Sequence, residues 1–326
     1  MDTAKPSASR SRVLATRLLR GLTVAEPAAA GALRQISAAS GLVRVGEFLY
    51  VVADDENHLA VFPAHGTGDG QLIRLFAGDL PDGHKARKVR KPDLEALALV
   101  PPSSIFPTGA LLALPSGSRP NRRIGSVLAL DAAGGPASES RAIDFSELYL
   151  ALEDRFAELN IEGALVLADA LVLLQRGSGP QPVNACIRVP FTAIAAAIGG
   201  ARRIAKPASI AVRPVDLGDI SGTALCFTDA ALLPDGRIVF TAVAEAAANS
   251  YEDGPCVGAA IGILATDDSV QWLEQLDPPY KIEGVHADLA GDSISLLLVT
   301  DADDVSVPSV LRSATIPYQA WPSQLP

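Results

Sequence analysis

Aromatic and sulfur-containing side chains are scarce in this sequence. Phe, Tyr and Trp make up only 5% of the residues, and the chain has a single methionine. Few of the aromatics lie in loops that could form stacking platforms, which argues against a sugar-binding module. The three cysteines, Cys186, Cys226 and Cys256, are widely spaced and form no C-x-x-C motif. They therefore indicate neither a disulfide framework nor a zinc site.

Long apolar runs are also missing. No run reaches the ~18 residues that a membrane-spanning helix needs, and residues 1–22 lack the continuous apolar stretch of a secretory signal. We therefore expect a cytoplasmic protein without a membrane partner. Three motifs of known catalytic sites are absent from the sequence as well: the G-x-S-x-G elbow, the P-loop and the H-E-x-x-H zinc motif.

Negative charge predominates, with 37 Asp and Glu against 27 Lys and Arg and a net charge of −10. Such a chain is a poor partner for nucleic acid and a good one for a cation. Hydrophobic residues, at 48%, are numerous enough to build a large core. We expect residues 1–10 to form a disordered tail and residues 11–326 to form one domain, and the oligomeric state is left open.

The most informative pattern is a hairpin that recurs five times. Each copy has an anchor residue (usually acidic), a short apolar strand, a turn, and a second apolar strand that ends in polar residues. The anchors are Ser40, Glu95, Glu162, Asp229 and Glu283, which lie between 54 and 67 residues apart. A repeat of this period predicts a radial or linear array of similar units.

The strand pattern around these hairpins predicts an all-β fold, a single β-propeller. Four repeats contain about four predicted strands each, whereas the last contains three. We expect residues 11–20 to provide the missing outer strand and to close the ring. Five blades are predicted, and a sixth blade hidden within residues 185–228 is the alternative.

Two short helical insertions interrupt the strand pattern. Residues 146–158 place Leu148, Leu152 and Phe156 at four-residue spacing, which is typical of an amphipathic helix. Residues 191–198 are a shorter helical candidate. Residues 82–91 contain five Lys and Arg, and we interpret them as a solvated loop or, alternatively, as a phosphate-facing patch.

The hairpin geometry predicts where the anchors meet. In an antiparallel hairpin the first strand begins beside the end of the second, so the anchors should lie near Asp54, Asp55, Glu245 and Asp301. If the hairpins surround one axis, all these groups converge at one mouth of a central channel. The four histidines do not cluster in the sequence, so zinc and iron fit this site poorly.

Carboxylates gathered in this way must either raise their pKa values or hold a cation. Calcium is the natural candidate because it takes six to eight oxygen ligands in adaptable geometry. The alternative is that each acidic anchor accepts hydrogen bonds from backbone N–H groups of the neighbouring blade. The arginines that follow two of the hairpins, Arg119, Arg122 and Arg176, are candidates to bind a substrate anion or to pair with these carboxylates.

The anchor motifs resemble those of a known group of propellers. Ile161-Glu162-Gly163, Ile282-Glu283-Gly284 and the sequence DLEAL at 93–97 resemble the inner-strand motif of phytase-like esterase domains, the SdiA-regulated family and uncharacterised bacterial propellers. One serine plus acidic residues, about one per blade, is also similar to the calcium-activated nucleotidases (apyrases). That resemblance implies a five-bladed propeller with a central calcium. It also implies metal ligands at Ser40, Glu95, Glu162 and Glu283, whereas the TDAA motif at Asp229 is a weaker match.

These observations lead to two hypotheses about function. The first is a calcium-centred propeller that binds or hydrolyses a small anionic ester, such as a phosphoester, at the channel mouth. As an enzyme it would be a calcium-dependent hydrolase with Asp54, Asp55 or Asp301 as the base and with Arg119, Arg122 and Arg176 on the anion. The second is a non-catalytic binding or scaffold propeller whose acidic anchors only brace the blades.

Overall fold

The computed structural model describes residues 13–29, 31–178, 182–246 and 254–318. Within these residues the chain forms five β-sheets, each built around one of the five hairpins. The structure therefore confirms an all-β, five-bladed propeller. The predicted tail at residues 1–10 lies outside the described residues.

Two short N-terminal strands, β1 (Val13–Ala15) and β2 (Arg17–Gly21), precede the first blade. Blade one contains β3 (Ala39–Val45), β4 (Phe48–Ala53), β5 (His58–Pro63) and β6 (Gln71–Arg74). Blade two contains β7 (Leu94–Val100), β8 (Ala110–Pro115), β9 (Ile124–Ala129) and β10 (Arg141–Asp144). Blade three contains β11 (Ile161–Val166), β12 (Ala170–Gln175), β13 (Ala185–Pro190) and β14 (Ala211–Pro214).

Blade four contains β15 (Asp219–Ile220), β16 (Thr223–Leu232), β17 (Ile238–Glu245), β18 (Cys256–Leu264) and β19 (Val270–Asp277). Blade five contains β20 (Ile282–Ala290), β21 (Ser293–Thr300) and β22 (Val310–Pro317). Residues 185–228 are divided between blades three and four, so the alternative of a sixth blade is wrong.

The N-terminal strands close the ring. Strand β2 pairs antiparallel with β22 and so completes blade five, as predicted. Strand β1 pairs in parallel with β19 of blade four, a contact that the sequence pattern did not predict. Thr16, between the two strands, accepts a hydrogen bond at its Oγ1 from Arg312 Nε, at 2.8 Å. One short segment therefore fastens two neighbouring blades.

The core lies between the blades, in five clusters of buried apolar side chains. Because each blade packs against two others, its central strands are buried on both faces. In blade three, every residue of β11 and β12 is buried. This packing explains why the inner strands have almost continuous apolar sequences in place of a strict alternation.

Three short helices connect the strands: α1 (His84–Arg90), α2 (Ser146–Glu153) and α3 (Phe191–Ala196). Helix α2 ends five residues before the predicted limit at 158, although Phe156 still packs into the core. Helix α3 continues as a π-helical segment over residues 197–201. The basic segment expected to be a loop is helical, which directs Arg87 and Lys91 toward carboxylates of blades one and two.

Candidate functional site

The innermost strand of every blade contains a β-bulge, at the second residue of the strand in four blades and at the sixth residue of β16 in blade four. The pairing of each inner strand with its hairpin partner skips one residue, and the extra residues are Ser40, Glu95, Glu162, Thr228 and Glu283. A bulge bends the strand and re-aims the side chain of the extra residue. Four anchors predicted from the sequence are therefore equivalent by register. In blade four the equivalent residue is Thr228, so the assignment of Asp229 is displaced by one position.

The residue after each bulge lies close to the next inner strand. A Cβ added at Gly41 would lie 2.8 Å from the backbone N of Leu97, and one at Gly284 would lie 3.1 Å from that of Leu42. Four blades therefore have a small residue at this position, Gly41, Ala96, Gly163 or Gly284. Asp229 occupies this position in blade four.

Asp229 is fully buried, and its carboxylate contacts the neighbouring inner strand. Its Oδ2 accepts a hydrogen bond from the N–H of Val285, at 2.8 Å. Burial raises the pKa of Asp229 well above its ordinary value, although the N–H groups of Val285, Ala230 and Leu42 favour the charged form. This residue thus follows the alternative in which an acidic anchor binds the backbone of a neighbouring blade.

The other acidic groups gather at the end of the channel where the inner hairpins begin and end. We call this site the acidic mouth. It comprises the carboxylates of Asp54, Asp93, Glu95, Glu162, Glu245, Glu283 and Asp301 and the cationic groups of Lys91, Arg122, Arg176 and Lys281. Seven carboxylates against four cations leave a formal excess of three negative charges.

Arg176 joins three blades within the acidic mouth. Its guanidinium pairs with Glu245 of blade four and lies 3.5 Å from Glu162 of blade three and 3.9 Å from Glu283 of blade five. Lys281 Nζ adds contacts of 3.2 Å to Glu245 and 3.5 Å to Glu283. Both cations are nearly buried, so these ion pairs are shielded from solvent screening.

A second group of charges lies between blades one and two. The ammonium of Lys91 pairs with Asp54 and lies 2.9 Å from Asp93, whose other oxygen is 2.8 Å from Arg122. Carboxylate oxygens of Asp54, Asp93 and Glu95 all lie within 4.8 Å of one another. Among the described residues, no other three His, Cys, Asp or Glu side chains meet this limit.

Glu95 differs from the other carboxylates of the acidic mouth. Within the part of the chain that the structure describes, it has no hydrogen bond and no ion pair within 4 Å. Burial raises its pKa well above the ordinary value, and the charges of Glu162, Asp93 and Asp54 add to the effect. Lys91 opposes this shift without reversing it. Glu95 is thus a carboxylate that no protein cation neutralises directly.

The pKa values of two of the predicted bases, Asp301 and Asp55, are moderately raised. Burial raises the pKa of Asp301 to about 7 although Lys281 opposes the shift, and it raises the pKa of Asp55 to about 6, with Asp54 and Glu56 adding. Arg87 lies 3.6 Å from Asp55. Burial also raises the pKa of Asp54, despite its pairing with Lys91.

The remaining candidates are placed as follows. The hydroxyl of Ser40 donates to the carbonyl of Ala38 at 3.3 Å. Arg122 and Arg176 pair with carboxylates of the acidic mouth, so a substrate anion would have to share them. Arg119 is half-buried.

Three groups of the acidic mouth, Lys91, Asp93 and Lys281, were not predicted as site residues, and Lys91 was included only in the alternative of a phosphate-facing patch. Two of them, Asp93 and Lys281, stand two residues before the anchors Glu95 and Glu283. Because alternate residues of a strand share a face, counting back by two from each anchor would have identified them. Asn160 follows the same rule, and its side chain donates to Glu162 at 2.6 Å.

The channel continues beyond the bulges as an apolar cavity of about 230 Å³. Three consecutive residues of every inner strand line it: 42–44, 97–99, 164–166, 230–232 and 285–287. Each triplet begins two residues after a bulge, which supports Thr228 as the fourth anchor. Arg44 and His286 are the only charged or titratable residues of these triplets.

Fold and site together define a five-bladed β-propeller with one acidic and one apolar end to its channel. A family profile for DUF6929, a family of unknown function, matches residues 35–316. The chain therefore belongs to this family. No curated protein matches the sequence. The narrower likeness to phytase-like domains and calcium-activated nucleotidases stays a prediction.

Several solved structures are similar to this chain in fold. Glutaminyl cyclase from Myxococcus xanthus is 10% identical, with a TM-score of 0.47 over 94% of this chain and 100% of its own. The mannose phosphorylase MPT-4 from Leishmania mexicana is 13% identical, with a TM-score of 0.46 over 95% of this chain and 89% of its own. Such distant likenesses concern the fold alone. In the described residues, no helix has the length and apolar character needed to cross a bilayer.

Proposed function

We propose that the acidic mouth binds a divalent cation, calcium, and that the bound ion presents a small anionic ester to the protein. The observation that carries this proposal is the group formed by Asp54, Asp93 and Glu95. Two oxygens bound to one calcium at ~2.4 Å lie at most ~4.8 Å apart, and oxygens of these three carboxylates meet that limit. All three donors are oxygens, the type that calcium prefers.

Glu95 is the ligand that no described cation pairs with, and its raised pKa means that the ion must compete with a proton for this carboxylate. Lys91 bridges Asp54 and Asp93, so the ion must take its place between them. A displaced Lys91 and the adjacent Arg122 then become available to the anionic part of a ligand. When calcium replaces the ammonium of Lys91, the site can thus hold both the ion and an anionic ligand.

The same site has groups suited to hydrolysis. The ion would polarise an ester bond that reaches it. A general base works best when its pKa lies near the working pH, and the pKa of Asp301 is raised to about 7. Asp301 is therefore the base we favour, with Asp55 and Asp54 as the other candidates.

Thermal unfolding with calcium and with a chelator tests the ion site. We expect calcium to raise the melting temperature by mass action and the variant Glu95→Gln to lose most of this shift. Glu47→Gln is the matched control, because the Glu47 side chain is 77% exposed and lies at the turn between β3 and β4, at the other end of the inner hairpin. An unchanged melting temperature in wild type with calcium would refute the ion site.

Turnover is measured separately, with a panel of phosphoesters and carboxyl esters in the presence of calcium. Hydrolysis that needs calcium and Asp301 supports the enzyme. Calcium binding with no turnover supports the second candidate, a non-catalytic propeller. Arg176 favours that candidate, since it links carboxylates of three blades.

A further inference from the structure

The inner strands of the propeller direct backbone N–H groups at the channel axis. Beyond its bulge each inner strand pairs with a neighbour on one edge only, since β15 pairs with β16 only at Thr223 and Ala224, before the bulge. In an antiparallel pair alternate N–H groups point away from the partner. In blade three, Leu167 donates to the carbonyl of Ala170 at 2.7 Å, and in blade four, Leu233 donates to Arg237 at 2.8 Å. The backbone N–H groups of Val166 and Leu232, one residue earlier, therefore point at the channel axis.

The bulge register extends this rule to all five blades and defines two rings of N–H groups. The inner ring is formed by Leu42, Leu97, Ala164, Ala230 and Val285. The outer ring is formed by Arg44, Leu99, Val166, Leu232 and Ala287. Both rings line the apolar cavity, which lies between them.

The protein itself provides an acceptor for the inner ring. The carboxylate of Asp229 accepts from Val285 and interacts with the N–H groups of Ala230 and Leu42. In the outer ring, Arg44 donates its N–H to Nδ1 of His286, at 3.3 Å. No described side chain accepts a hydrogen bond from the other four N–H groups of that ring. The outer ring thus resembles the inner one without its carboxylate.

We propose that the outer ring binds the carboxylate of a small apolar acid that enters from the end opposite the acidic mouth. Converging N–H groups form an anion-binding concavity. Arg44 lines the cavity, and its guanidinium, 3.5 Å from the carboxylate of Asp288, offsets that negative charge at the rim. Leu99 and Leu232, each 38% exposed, provide apolar contact for the rest of the acid. An exposed apolar rim around a concave cavity is typical of a ligand site.

The size of the cavity restricts the acid. A volume of about 230 Å³ equals that of roughly eight water molecules in the liquid. A short aliphatic or a single-ring aromatic acid therefore fits within it. Burial raises the pKa of Asp229 well above its ordinary value, which lowers its repulsion of such an acid.

Hexanoate is a suitable probe, with hexanol as its uncharged partner. Binding is followed by saturation-transfer NMR and by titration calorimetry on the full chain. We expect hexanoate to bind and hexanol to bind at least about tenfold more weakly, since a charged acceptor strengthens each hydrogen bond. Absence of hexanoate binding, or equal binding of the two probes, would overturn the proposal.

Two rim variants locate the site. Leu99→Glu places a like charge at the rim and should weaken hexanoate binding by about tenfold or more, whereas Leu99→Gln, of matched size, should leave most of it. Circular dichroism checks that both variants fold. If Leu99→Glu does not fold, Arg44→Gln provides a second test of hexanoate binding at the rim. Equal affinities in all these variants and wild type would place the acid elsewhere. Glu95→Gln should not change hexanoate binding, so this result is independent of the calcium site.

Discussion

Replacing Asp301 with asparagine should change how the stability of this protein depends on pH. The pKa of Asp301 is raised from 3.8 to about 7, mainly by burial. Between these values the folded protein holds a proton that the unfolded chain releases. The free energy of unfolding therefore falls as pH rises from about 4 to 7, and the group gives its full stability only at the lower pH.

The size of the effect follows from the shift. A difference of about three pKa units corresponds to roughly 4 kcal/mol, which is the upper limit for a single group. Asparagine carries no charge at any of these pH values, and its Oδ1 can still accept the 2.8 Å hydrogen bond from the N–H of Asp303. We therefore expect Asp301→Asn to match wild type near pH 4 and to be more stable by up to about 4 kcal/mol near pH 7.5.

Urea unfolding at a series of pH values, in the presence of a chelator, measures this difference. Other buried carboxylates have raised pKa values too, so the free energy of unfolding of wild type falls with pH more steeply than Asp301 alone would cause. Only the difference between the wild-type and Asp301→Asn curves isolates this group. The exposed control Glu47→Gln should run parallel to wild type. Parallel curves for Asp301→Asn and wild type, or a variant that is less stable at pH 7.5, would refute the reasoning.

Three further predictions concern the ion, the inner strands and the closure. Calcium should raise the melting temperature more near pH 8 than near pH 5.5, because protons compete for carboxylates whose pKa values are raised; scanning fluorimetry at both pH values checks this. Gly41→Ala should lower the free energy of unfolding by roughly 1–3 kcal/mol, since its Cβ would lie 2.8 Å from Leu97 N, whereas Gly21→Ala, with no atom within 4 Å, should not. Leu22→Ala should cost about 2–5 kcal/mol in urea unfolding, because Leu22 is fully buried where the N-terminal segment meets blades one and five.

Much of the fold could be predicted because a propeller blade repeats a local pattern. The hairpin signal depends on neighbouring residues, so all five hairpins were correctly placed. Because blade five lacked one strand, the N-terminal segment could be predicted to provide it. The parallel pairing of β1 with β19 could not be predicted in this way. It depends on two distant segments whose own sequences contain no sign of each other.

The acidic mouth was predicted less completely. The anchor in blade four was misplaced by one residue because an acidic residue was expected there and Asp229 was chosen. Phe227-Thr228 matches the apolar residue and bulge of Ile161-Glu162, so counting from the hairpin turn would have given Thr228. Lys91 was assigned only to a loop or a phosphate-facing patch, because the sequence pattern did not indicate the helix that precedes it.

The closure by the N-terminal strands has a consequence for how the ring assembles. Thr16 and Arg312 are separated by 296 positions, so the N-terminal strands can pair only after the strands of blades four and five have been synthesised. Contacts of such long separation form late and slowly. Until then, β19 and β22 are open edges to which another copy of β1 or β2 can add. The same segment that locks the finished ring therefore makes its last intermediate prone to exchange strands between molecules.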